Sequence, residues 1–404
     1  AECLVGSEMC IRDRFEVVPG PDCKKGILDF LLDYGEKFLG KTSVLAKDTP
    51  AFIGNRIGIF GIMSLFHQIK SGEYSVEEVD KLTGPAIGRP KSATFRTADI
   101  AGLDTMCHVA NGVYEKCKDD ESREVFKLPD FLQKMLDNNM LGSKTGKGFY
   151  KKIKDDNGKS KILALDLNTF KYNEQKKVSY ETLKNARKCK KRDEKFKTLI
   201  SGNDKASKFY EENFARMFGY IQNRIPEISN DITSIDAALK TGFGWKDGPF
   251  EIWNYIGVKE GVELMKKFDL KPAEWINEMI KKNTNNFYRI NDGFREYYDI
   301  NSNSFNKIAG QDGFVILKNI PENKVIWSNN EARLIDIGDD ILNLEFGSKM
   351  NSINQNIIKA LDKSIDIAEK DFKGLVLGNE SDHFSAGADI LSLIHISEPT
   401  RHSA

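Results

Sequence analysis

Few side chains in this 404-residue sequence stand where chemistry could use them. Glu16 interrupts a short apolar run in FEVVPGP and, on spacing alone, reads as a surface acid at a strand end. Asn55, in FIGNRIG, opens an apolar helix, where an amide normally caps backbone N–H groups. The apolar residues before it and the adjoining Arg56 make a plain cap less convincing. Gly387 and Ala388 lie in FSAGADI, a turn of small residues that lets backbone approach another group closely. His67 and His108 sit at helical spacing among apolar residues, the pattern of core or surface histidines rather than of a base. GSKTGKG at 142–148 is not a phosphate loop, because a P-loop needs four residues before its Gly-Lys and only three separate Gly142 from Gly146.

The rest of the composition narrows the classes. Sixty basic and sixty acidic residues give zero net charge, which argues against a nucleic-acid binder. The most apolar stretch, 57–66, is about half the ~20 residues of a spanning helix. The six cysteines include no C-x-x-C pair and accompany no histidine cluster, so no metal site or disulfide framework is expected, and the compartment reads as reducing and cytoplasmic. Residues 1–14 and 393–404 carry no period that continues into their neighbours; both resemble translated sequencing-adapter sequence and are set aside as scars.

Between these ends the elements that must position the candidates follow from periodicity. Residues 15–47 predict a short strand, a helix over 23–38 striped by Ile27, Phe30, Leu31, Tyr34 and Phe38, and a second strand at 42–46. Residues 48–152 predict a helical domain with a central helix at 52–70 buried nearly all round, a capping box of Ser75 and Glu78, a helix striped by Leu103, Met106, Cys107, Ala110 and Val113, and a helix begun by Pro129. The lysine-rich stretch 153–202 reads as a solvated linker. Residues 203–285 are helical again and repeat the first domain: Phe95, Asp99 and Gly102 recur 155 positions later as Phe250, Asn254 and Gly257. Residues 286–330 read as a linker with a hairpin from GFVILKNI and KVIWSN. From 331 to 392 the order is strand, strand, helix, buried strand, the start of an α/β domain.

Three stretches, DTPAFIGNRIG, GPAIGRPKSATFRTADIAGLD and SKTGKGFY, resemble the C-terminal helical domain of 3-hydroxyacyl-CoA dehydrogenases, and FGWKDGPFEIWNYIG resembles a second, degenerate copy. LEFGSKMNSI with KGLVLGNESDHFSAGADI is similar to the start of an enoyl-CoA hydratase, or crotonase, domain. The resemblance implies a mainly α chain. Two tandem helical domains are preceded by the tail of a Rossmann domain and followed by a truncated α/β crotonase domain. It implies a piece of a bifunctional β-oxidation enzyme that uses NAD to oxidise 3-hydroxyacyl-CoA to 3-ketoacyl-CoA. Glu16 then matches the carboxylate that orients the base histidine, and Asn55 a catalytic or substrate-orienting amide. The second copy has Tyr210 at the position of Asn55, so it is expected to support the first by packing. Gly387 and the Ala388 N–H match half of an oxyanion hole.

The same resemblance places the base histidine and the Gly-rich dinucleotide fingerprint before residue 15, and the catalytic glutamates of the hydratase after residue 404. The isolated polypeptide is therefore expected to be inactive and to bind NAD poorly. The implied partner is an acyl-CoA substrate, with no nucleic acid and no membrane; a homo-oligomer is left open. The competing reading is a non-catalytic helical module that binds acyl-CoA or packs on another subunit.

Overall fold

The structure is a computed structural model that describes residues 13–69, 72–154, 157–311, 313–381 and 383–389. It divides into two compact units, one over 1–288 and 297–305, the other over 289–296 and 306–404. The stretches set aside at the two ends lie almost entirely outside the described residues. Arg14, placed among them by sequence, instead opens the first strand and pairs with Thr42.

In the first unit, strands β1 (Arg14–Val17) and β2 (Thr42–Leu45) run parallel, joined by helix α1 (Lys25–Lys37), as a β-α-β crossover requires. The stripe of α1 faces outward: Ile27, Phe30, Tyr34 and Phe38 are exposed, and the three rings stack on one another at i, i+4 spacing. Helix α2 (Gly54–Ile69) is buried on most of its circumference, as its apolar sequence demands. Helix α3 (Val76–Thr83) begins at the capping box, where Glu78 N donates to Ser75 Oγ and Ser75 N to Glu78 Oε2. Helices α4 (Phe95–Ala101), α5 (Leu103–Lys116) and α6 (Asp130–Asp137) complete this layer, with the stripe of α5 buried.

The turn at 142–148 closes that layer by a close approach. The Asp99 carboxylate, at the end of α4, accepts from Phe149 N and Tyr150 N, both at 2.8 Å. A Cβ on Gly148 would lie 2.0 Å from Asp99 Oδ1, so only glycine admits this contact.

The expected linker at 153–202 is a correction, because it folds. Strands β3 (Tyr150–Lys154), β4 (Ser160–Leu165) and β5 (Tyr172–Glu174) form an antiparallel sheet. Helices α7 (Glu181–Ala186) and α8 (Arg192–Ser201) then bury Leu183, Phe196 and Leu199. Helices α9 (Lys205–Asn223), α10 (Ile232–Phe243), α11 (Pro249–Ile256), α12 (Val258–Lys266) and α13 (Glu274–Lys281) follow.

These later helices repeat the contacts of the earlier ones. Asn254 Oδ1 accepts from Phe287 N and Tyr288 N, as Asp99 does from Phe149 and Tyr150. Asp80 accepts from Phe95 N at 2.7 Å and from the Tyr150 hydroxyl at 2.8 Å; Asp236 accepts from Phe250 N at 2.8 Å and from the Tyr288 hydroxyl at 2.7 Å. Each buried carboxylate thus terminates a helix start and holds a tyrosine.

Burial pushes Asp80 and Asp99 up to about 6, and burial with the neighbouring Glu251 pushes Asp236 up to about 8. All three ionise near 3.8 in an unfolded chain. Between those values the folded protein holds more protons, so its stability falls as pH rises. The melting temperature is expected to drop by at least about 3 °C between pH 5.5 and 8.5, with the slope reduced in Asp236→Asn. A flat or rising profile in calorimetry would contradict this.

Residues 286–307 hold three short strands, Tyr288–Asn291 (β6), Phe294–Asp299 (β7) and Ser304–Lys307 (β8). The expected hairpin is a second correction: GFVIL forms no strand, while Val325–Ser328 (β9) pairs with Ala332–Gly338 (β10). In the second unit β10 runs antiparallel to β11 (Ile341–Phe346), which pairs in parallel with β12 (Gly374–Leu377) across helix α14 (Gln355–Asp371). Leu334, Leu342, Leu344, Phe346, Ile357 and Ala360 form its core. Strand β12, expected to be buried, ends the sheet as described, with Val376 and Leu377 each 45% exposed.

Candidate functional site

A cavity of about 510 Å³ opens in the first unit, and both Glu16 and Asn55 line it. Strand β1 carries Glu16 to the head of α2, where its Oε1 accepts from Gly54 N at 2.8 Å. A carboxylate there is favoured by the helix dipole and satisfies an orphan donor. The group capping α2 is therefore Glu16, supplied from 38 residues upstream, and not Asn55. Asn55 instead stands in the first turn with its side chain on the cavity.

Beyond this polar end the walls are apolar, with Ile59 and Ile62 from α2 and Met106 and Val109 from α5. The end of α10 closes the cavity: a Cβ on Gly58 would lie 2.1 Å from Phe243 Cζ, so this glycine admits the phenyl ring against α2. The end of α10 and the turn after it therefore contribute a wall as well as packing.

Sequence reasoning missed Arg89 and Trp245, which also line the cavity. The guanidinium lies over the indole, 3.9 Å from its centroid. The signal was present in the repeat. Asp80 and Asp236 are 156 positions apart, and so are Gly88 and Gly244, both at positive φ, and Arg89 and Trp245. Equivalent turns of the two segments meet, and Lys246 N donates to Gly88 O at 2.8 Å.

The histidines behave as their spacing suggested. His67 Nε2 is 3.0 Å from the Lys127 carbonyl and His108 is exposed. Among the described residues no three metal-ligating side chains cluster, and Cys23, Cys107, Cys117 and Cys189 are free thiols.

Gly387 and Ala388 lie in the second unit. Gly387 takes φ +94°, its carbonyl accepts from Ile353 N, and Asp389 N donates to the Ile353 carbonyl. Ala388 thereby forms a parallel bridge with Ile353, which turns its own N–H to the opposite side.

NAD does not fit the described residues. The turn after β1 holds Pro19 and Pro21, which offer no N–H to a phosphate. At 142–148 the N–H groups of Gly142, Thr145, Gly146 and Gly148 are engaged by nearby carbonyls, and those of Phe149 and Tyr150 go to Asp99.

Comparison with known proteins gives the class. Residues 52–152 match the family described as 3-hydroxyacyl-CoA dehydrogenase, C-terminal domain. The chain is 41% identical over 380 residues to a probable 3-hydroxyacyl-CoA dehydrogenase of Bacillus subtilis, covering 94% of this chain and 47% of that protein. It is 27% identical over 392 residues to a Rickettsia prowazekii protein named as a fatty acid oxidation complex trifunctional enzyme, covering 96% and 49%. A solved 3-hydroxybutyryl-CoA dehydrogenase from Escherichia coli is 14% identical, with a TM-score of 0.47 over 67% of this chain and 68% of that one. Residues 52–152 therefore carry the likeness to the C-terminal domain of 3-hydroxyacyl-CoA dehydrogenases, and the chain is similar over most of its length to proteins bearing that name. It spans about half the length of the curated relatives it matches. No helix among the described residues is long and apolar enough to cross a membrane.

Proposed function

We propose that the chain is the acyl-thioester-binding part of a fatty-acid β-oxidation enzyme that oxidises 3-hydroxyacyl-CoA to 3-ketoacyl-CoA. One observation carries this reading: Glu16 and Asn55, from different elements, meet on one largely apolar cavity. The apolar walls suit an acyl chain and the polar end suits its oxygens. Asn55 would donate to an oxygen of the substrate. Glu16, held by Gly54 N, would orient a base imidazole and favour its charged form. Residues 48–152 and 203–285 act as tandem helical domains, the second lacking chemistry of its own. Residues 331–392 are the beginning of a hydratase-type domain, in which the Ala388 N–H would polarise a thioester oxygen.

Calorimetric titration with acetoacetyl-CoA tests this. Wild-type chain is expected to bind it, and Asn55→Ala to bind about tenfold more weakly, the worth of one lost hydrogen bond. The isolated chain should not reduce NAD with 3-hydroxybutyryl-CoA. Equal binding by Asn55→Ala, or no binding by wild type, would overturn the proposal.

A further inference from the structure

One cation on the cavity wall, Arg89, has no anion paired with it among the described residues. Among the described residues the Arg89 side chain makes no hydrogen bond or ion pair, and its Nε is buried without an acceptor. Burial lowers its pKa to about 10, which leaves the guanidinium charged at neutral pH. The acid on the opposing turn, Asp247, is paired with Arg192 at 3.3 Å. An unmatched, desolvated charge is costly, and a fold retains one where a ligand supplies the opposite charge.

The stacking on Trp245 defines how that ligand would bind. An indole face attracts a guanidinium and fixes its plane, while the N–H groups in that plane stay available for a bidentate acceptor. A neutral thioester carbonyl offers one acceptor lacking a full charge. A carboxylate or phosphate offers paired oxygens with the matching charge.

Resting on the acyl-CoA reading above, we propose that Arg89, laid on Trp245 of the second helical segment, is the anion-binding residue of the cavity and takes a carboxylate or phosphate carried by the acyl-CoA ligand. The carboxylate would be the far end of a dicarboxylic acyl chain, and the phosphate would belong to the coenzyme. Arg89 and Trp245 are equivalent positions of the repeat, so duplication has placed the cation on one copy and its platform on the other.

The test is calorimetric titration of the full chain with adipoyl-CoA, hexanoyl-CoA and S-hexanoyl-pantetheine, the last of which carries neither anion. Arg89→Met is expected to weaken at least one CoA ligand tenfold or more and to leave the pantetheine thioester unchanged. A loss confined to adipoyl-CoA identifies the carboxylate; an equal loss for both CoA thioesters identifies the phosphate. Trp245→Leu should reproduce the pattern in weaker form. Without ligand, Arg89→Met should melt no lower than wild type, since it removes an uncompensated charge. If wild type binds the CoA thioesters and Arg89→Met binds them all within twofold, this inference is wrong and the acyl-CoA reading survives. If wild type binds none of them, both fall.

Discussion

Replacing Arg56 by methionine is expected to destabilise the protein by about 3–5 kcal/mol, the usual consequence of removing one partner from a buried ion pair. The Arg56 and Asp120 side chains are both wholly inaccessible, with Nη2 2.6 Å from Oδ2. The guanidinium also donates to the Tyr220 hydroxyl at 2.7 Å and to Glu227 at 2.9 Å. Burial alone would lower its pKa, but Tyr220, Glu227 and Asp120 together raise it above the ordinary value, so the charge is retained. After the substitution Asp120 keeps Arg224 at 3.1 Å and the Tyr220 hydroxyl at 3.0 Å. Three acids, Asp120, Glu121 and Glu227, would then share one buried cation, Arg224. Arg56→Lys should recover little, because an ammonium cannot reproduce the fork that spans these partners. Asp120→Asn added to Arg56→Met should recover part of the loss. Urea unfolding decides the matter, and a cost below about 1 kcal/mol would show the cluster to be dispensable. The same side chain ties the first turn of α2, next to Asn55, to α9, so the variant should bind acyl-CoA less well even where it remains folded.

The local elements were legible because their causes are local. Ser75 with Glu78 forms the expected capping box, and the apolar positions of α2 and α5 are the buried ones. Residues 153–202 were misread because lysines interrupt the apolar pattern. Their alkyl stems can lie along a sheet while their charges reach water. Asn157-Gly158 between β3 and β4 is a hairpin signal that the charge run obscured. Strand β12 shows the opposite error: KGLVLGN has the composition of a buried strand, but its place at the end of the described sheet leaves Val376 and Leu377 half exposed.

The site was legible only in part, because it joins residues that are distant in sequence. Glu16 and Asn55 could each be singled out by resemblance, but nothing in either motif says that one carboxylate caps the helix carrying the other residue. Arg89 was hidden for a different reason. A single arginine in a Gly-Arg-Pro turn is unremarkable until its equivalent at the repeat offset proves to be the tryptophan on which it lies.

The repeat also makes a sharp forecast about Asp99. Asp99→Leu is expected to cost about 2–4 kcal/mol, because two N–H groups, one on the fully buried Phe149, would lose their acceptor. Asp99→Asn should cost less than about 1 kcal/mol, although it too removes the charge. The reason is visible at the equivalent position, where a single amide oxygen of Asn254 accepts from Phe287 N at 2.7 Å and Tyr288 N at 3.1 Å. Geometry, and not charge, is what the latch requires. The pH dependence separates the two ideas. Burial holds Asp99 up to about 6, so ionisation burdens the wild-type fold increasingly as pH rises through that value, while asparagine carries no such burden. Asp99→Asn should therefore improve relative to wild type between pH 5 and pH 8. Urea unfolding at both pH values is the measurement. An Asp99→Asn variant as damaged as Asp99→Leu would mean that the negative charge itself holds the turn at 142–148, and that the correspondence with Asn254 carries no energetic meaning.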